Sequence, residues 1–94
     1  ELVTKPLIFE GNRLVLNINT SGTGYTQVGF EDENGKAIEG FSVDDCVYIN
    51  DNSVEHEAEW LNKGKDVSSL QGKTVRLVFR MRGAKLFAMQ FVNK

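Results

Sequence analysis

The sequence predicts an all-β domain: an antiparallel two-sheet β-sandwich of jelly-roll type with about seven or eight short strands. Three observations carry that prediction. Apolar and polar residues alternate with period two through most of the chain, and helical spacing is nearly absent. Gly, Asn and Asp interrupt the alternation every ~8–12 residues, the spacing of strand ends in sandwiches. An apolar fraction of 40%, with six Phe, two Tyr and one Trp, is enough for one packed core.

The elements follow in order. Residues 1–6 read as a linker remnant, because Glu1-Leu2-Val3-Thr4-Lys5-Pro6 carries neither an initiator Met nor a targeting signal. This leaves 7–94 as the domain, a length that allows one core and little more. In "RLVLNIN" Leu14, Leu16 and Ile18 share one face, and in "YTQVGFED" Val28 and Phe30 do. Asn34-Gly35 predicts a type I′ hairpin turn, since both central positions of that turn need positive φ. A short strand is expected around Ala37–Ile38, a fourth at "VYIN" and a fifth at "EHEAEW", with Trp60 inward and Glu55, Glu57 and Glu59 on one solvated face. "DVSSLQGK" predicts a short helical turn that tucks in Val67 and Leu70 and closes at Gly72. "TVRLVFRMR" and "KLFAMQFV", separated by a turn at Gly83, complete the set. The predicted core is Leu14, Leu16, Ile18, Val28, Phe30, Phe41, Trp60, Leu77, Phe79, Phe87, Met89 and Phe91.

Charge and composition exclude several functions. Eleven basic against thirteen acidic residues give −2, with no basic stripe to follow a phosphate backbone, so nucleic acid is not expected as a partner. No apolar run approaches the ~20 residues of a membrane helix. One cysteine cannot form an intrachain disulfide, so Cys46 reads as a small core residue.

Candidate sites are few. Glycoside hydrolysis needs two carboxyls facing each other across a sugar, but Glu55, Glu57 and Glu59 project from one strand face. His56 is the sole base for a nucleophile, with Ser42 or Cys46 as the available partners, and no supporting motif surrounds any of them. One His and one Cys cannot fill the usual zinc set. Asp32-Glu33-Asn34 and Asp51-Asn52 offer oxygens for a structural calcium, but neither has the alternating spacing of a calcium loop, and both suit turns. No cofactor is therefore expected. "GFSVDDCVYI" (Gly40–Ile49) gathers Ser42, Asp44, Asp45 and Cys46 in five residues; the chemistry it suits is a corner, with Ser42 capping a short turn that holds the two aspartates. Tyr25 and Tyr48 are the aromatics free to form a carbohydrate platform, Trp60 being assigned to the core.

The segments from Leu7 to Ile49, then "AEW" and "DVSSLQGKTVRLVFRMRGAKLFAMQF", resemble a β-sandwich domain found at the C-terminal end of large bacterial glycoside hydrolases with a five-bladed β-propeller, of the invertase and arabinanase type. The most specific parts are Gly40-Phe41-Ser42 with Asp45-Cys46, the run Leu70-x-Gly72-Lys73 to Arg76-Leu77-x-Phe79, and Ala84-x-Leu86-Phe87 to Phe91. Phe87 stands where that pattern has tyrosine and Ala88 where serine is common. The resemblance implies a non-catalytic accessory module, with no catalytic residue of its own, that packs beside a catalytic domain of the same polypeptide in an extracytoplasmic protein. The alternatives are an autonomous carbohydrate-binding module using Tyr25 and Tyr48, and a small independent enzyme.

Overall fold

Two long strands span the molecule, and every other segment is placed by its contact with them. The computed structural model describes all residues 1–94. Its strands are β1 (Leu2–Val3), β2 (Arg13–Asp32), β3 (Asn52–Glu57) and β4 (Val75–Val92), joined in a single antiparallel sheet of order β1-β4-β2-β3. The expected two-sheet sandwich of seven or eight strands is thus corrected to one sheet of four.

The physical reason lies in the glycines. Ser21-Gly22-Thr23-Gly24 and Gly83 read in sequence as places where the chain reverses, but both are bends inside continuous strands. β2 pairs with β4 from Arg13↔Val92 to Thr20↔Ala84, and the same two strands resume from Tyr25↔Arg82 to Asp32↔Val75. Four residues of β2 therefore oppose one residue of β4, an enlarged β-bulge that bends both strands at the same level. Backbones approach closely there. A Cβ on Gly24 would collide with the carbonyls of Arg82 and Gly83, and Gly83 itself sits at φ +57°. Asn50 fixes the bend by donating its Nδ2 to the carbonyls of Ser21 (3.1 Å) and Gly24 (2.6 Å).

Other expected strands shrink to isolated bridges. Ala37 bridges Glu31, while Ile49 bridges Thr26 and Cys46 bridges Trp60. The Asn34-Gly35 turn is shifted by one residue. Gly35 alone has positive φ, its N–H donates to the Asp32 carbonyl, and Asp32 Oδ1 accepts from the N–H of both Asn34 and Lys36. That is a longer turn ending in a left-handed glycine, not the two-residue type I′ form. Leu2 and Val3 pair with Phe79 and Val78, so part of the expected linker runs along the sheet edge.

A single sheet buries a core here because irregular segments close its other side. Half of the sixteen-residue core cluster comes from outside the strands: Phe9, Phe41, Cys46, Ile49, Ala58, Trp60, Val67 and Leu70. Trp60 is fully buried, lies 5.5 Å from Phe30 and 5.6 Å from Phe41 between ring centroids, and donates its Nε1 to the Val28 carbonyl at 3.0 Å. That bond gives its N–H the partner burial demands. The 3₁₀ turn Ser68–Leu70 buries Val67 and Leu70 as the sequence suggested, with Gly72 at φ +79°.

The predicted core holds, with one exception. Leu14, Leu16, Ile18, Val28, Phe30, Phe41, Trp60, Leu77 and Phe79 are buried, and Met89 and Phe91 pack against them, Phe91 stacked on Phe9 at 3.9 Å. Phe87 is 62% exposed. The register moves from Asn17↔Ala88 to Ile18↔Leu86, so a second bulge hands the inward position to Leu86 and turns Phe87 out. In urea melts Phe79→Ala is expected to lose about 3–5 kcal/mol, the range for deleting a buried ring. Phe87→Ala should lose less than ~1 kcal/mol. The reverse order would reject this register.

Candidate functional site

The corner Gly40–Ile49 is built as the sequence chemistry dictates. Ser42 caps the 3₁₀ turn Val43–Asp45: its Oγ accepts the Asp45 N–H at 3.3 Å and donates to Asp45 Oδ2 at 2.8 Å. Asp44 Oδ1 accepts from Arg80 Nη1 at 2.8 Å, which ties the corner to β4. Gly29 lies beneath it, and any Cβ there would collide with the backbone of Ser42 and Val43. Cys46 is buried, its Sγ donating to the Val47 carbonyl at 3.3 Å, and desolvation pushes its thiol up to about 11. A thiol so held is a poor nucleophile. Iodoacetamide is expected to leave Cys46 unmodified in native protein at pH 8 and to label it fully in denaturant, read by intact mass; fast native labelling would contradict its burial.

His56 does not meet Ser42 or Cys46. Its Nδ1 lies 3.1 Å from Asp51 Oδ2, the only side-chain bond of the ring. Neither nucleophile–base pairing considered from the sequence is brought together. The turn aspartates are spent locally: Asp32 on its own turn, Asp51 on the Asn52 N–H and on His56. No group of three or more His, Cys, Asp or Glu side chains is arranged to hold a metal ion.

What the fold does assemble is a groove of about 320 Å³ between β3 and the segment Val47–Asp51. Period-two alternation delivers Ser53, Glu55, Glu57 and Glu59 to one wall, and His56, Lys65, Val47, Tyr48 and Asp51 complete it. The three glutamates are not equivalent. Lys94 Nζ lies 3.1 Å from the Glu57 carboxylate, with Arg13 Nε at 3.7 Å and Lys65 Nζ at 3.8 Å. The Lys94 hydrogen bond, aided by all three cations, holds the Glu57 carboxyl below its ordinary range. Glu55 in β3 and Glu59, two residues past its end, are exposed and form no ion pair.

A lowered carboxyl pKa stabilises the fold above the ordinary carboxylate value, and that contribution is lost as pH falls through the lowered folded value. Glu57→Gln should therefore lower the melting temperature near neutrality and flatten its decline on acidification. An unchanged acid limb would show that the three cations contribute nothing measurable.

Of the two aromatics singled out in the sequence, Tyr48 lines the groove and Tyr25 packs against its ring. Tyr25 and Tyr48 stack at 4.9 Å with 19° between their planes, and Tyr48 is 66% exposed. They meet because the antiparallel bridge Thr26↔Ile49 sets Tyr25 opposite Asn50, which makes Tyr48 its diagonal neighbour on the same face. Sequence reasoning missed Asp51 and Lys65 as groove residues, since each looks like ordinary loop polarity until the chain folds back. No family model, curated protein or solved structure matches the chain. No helix is long and apolar enough to cross a membrane.

Proposed function

We propose that this chain is a non-catalytic accessory module that contacts carbohydrate through Tyr48. The observation that carries the reading is exposed Tyr48, which lines a carboxylate-rich groove and has Tyr25 stacked against it. Tyr25 backs one face of the Tyr48 ring and holds it in place, leaving an exposed aromatic surface for the apolar face of a pyranose. Carboxylates at Glu55 and Glu59 accept hydrogen bonds from sugar hydroxyls, and the acidic lining favours neutral over anionic glycans. The absence of catalysis is supported by the use of the acids. Glu57 is held by three cations and Asp51 by His56, and of the remaining acids Glu55 lies in β3 and Glu59 just past its end, on one continuous segment of chain.

Placement beside a catalytic domain of the same polypeptide is a second reading, favoured by exposed Leu2 and Val3 in the edge strand β1 and exposed Ile8 next to the Leu7–Val75 bridge. Those side chains form an apolar border of the kind that interdomain contacts cover.

Calorimetric titration with a panel of neutral oligosaccharides tests the proposal. Saturable binding is expected, with Tyr48→Ala weakening it at least about tenfold, or ~1.4 kcal/mol. Chromogenic glycosides should not be turned over. Silence across the panel, or binding indifferent to Tyr48, would reject the assignment.

A further inference from the structure

A second hollow lies away from the tyrosine groove, at the bend of the long strands. It measures about 480 Å³ and is lined by Asn19, Ser21, Gly83, Ala84, Lys85 and Phe87. We infer that it is a binding site for an anionic sugar, a uronate-type pyranoside, with the ring on Phe87 and the carboxylate on Lys85.

Four features of the hollow point to that ligand. The β4 bulge exposes Phe87, a large apolar ring that the core does not use. An exposed ring beside polar groups suits a ligand with one apolar face and a hydroxylated edge. Asn19 pairs with Lys85 across β2 and β4, which sets a carboxamide beside an ammonium. The Asn19 carboxamide, the Ser21 hydroxyl and the Lys85 ammonium have no side-chain partner within the protein, so their donors and acceptors are free for hydroxyls and a carboxylate. Gly83 and Ala84 contribute almost no side-chain bulk, and a Cβ on Gly83 would approach Ser21 Oγ to 2.7 Å.

Charge sets the preference. From Val75 to Lys94 the chain carries Arg76, Arg80, Arg82, Lys85 and Lys94 and no acid. Arg80 is taken by Glu1 and Asp44, and Lys94 by Glu57, whereas Lys85 forms no ion pair. A ligand carboxylate therefore meets an uncompensated cation at this hollow and a run of acids at the tyrosine groove. The two sites differ in the sign of the ligand they admit, and this inference stands whether or not Tyr48 binds sugar.

Two-dimensional amide NMR with a trigalacturonate and its carboxyl-reduced, neutral counterpart tests it. The acidic trisaccharide is expected to shift the resonances of residues 19–21 and 83–87. Phe87→Ala should abolish that response. Lys85→Gln should weaken uronate binding at least about tenfold, and Tyr48→Ala should leave it unchanged. Phe87 and Lys85 are surface residues, and melting curves confirm that both variants fold. No shift at the bend, equal binding of the neutral sugar, retention of binding by Phe87→Ala, or loss on Tyr48→Ala would each overturn the inference. Equivalent shifts from inorganic sulfate at the same charge concentration would also overturn it, since they would reflect ion pairing alone.

Discussion

The pairing of β2 with β4 is the constraint on which the rest of the molecule depends. It joins Arg13 to Val92 at one end and Asp32 to Val75 at the other, so nearly the whole chain is enclosed between the partners. β1 is held only through β4 and β3 only through β2. A ladder this non-local must close a long loop before its contacts form, which places the fold among slowly assembling topologies. Once formed, it leaves the segments between the strands little choice of position. The corner at Ser42–Cys46 sits on Gly29 and Arg80, and Trp60 bonds to Val28, so both are referenced to the same two strands.

Much of this organisation was legible in the chain. Period-two alternation located the segments that make up the two long strands, though as four short ones, and most of the core, because inward residues on a half-buried strand must be apolar at every second position. Trp60 keeps the parity of Ala58, and both are buried. Strand number was not legible. A glycine that reverses a chain and one that bends it have the same local requirement, and only the partner strand distinguishes them. Ser21–Gly24 and Gly83 become a bend because each finds the other across the ladder.

The candidate sites show the same division. Tyr25 and Tyr48 could be selected by elimination, but their stacking depends on the Thr26–Ile49 bridge, a contact with no sequence signal of its own. The perfect alternation of Phe87, Met89 and Phe91 predicts an inward Phe87. Leu86 and Ala88 form a rival apolar register in the same seven residues, and the fold takes part of each. The competition between two registers was the available clue that a bulge would intervene.

The bulge also bears on how the protein behaves at high concentration. From Ala84 to Val92, β4 has β2 on one side and no strand on the other. An unpaired edge of that length, rich in Leu, Phe, Met and Val, is a template on which another chain can add a strand. A straight edge would offer an unbroken row of amides and carbonyls to the newcomer. The irregularity at Leu86–Ala88 breaks that row near its middle, and Lys85 places a charge beside the break. The same local distortion that exposes an aromatic ring thus guards the sheet against growing sideways into an aggregate.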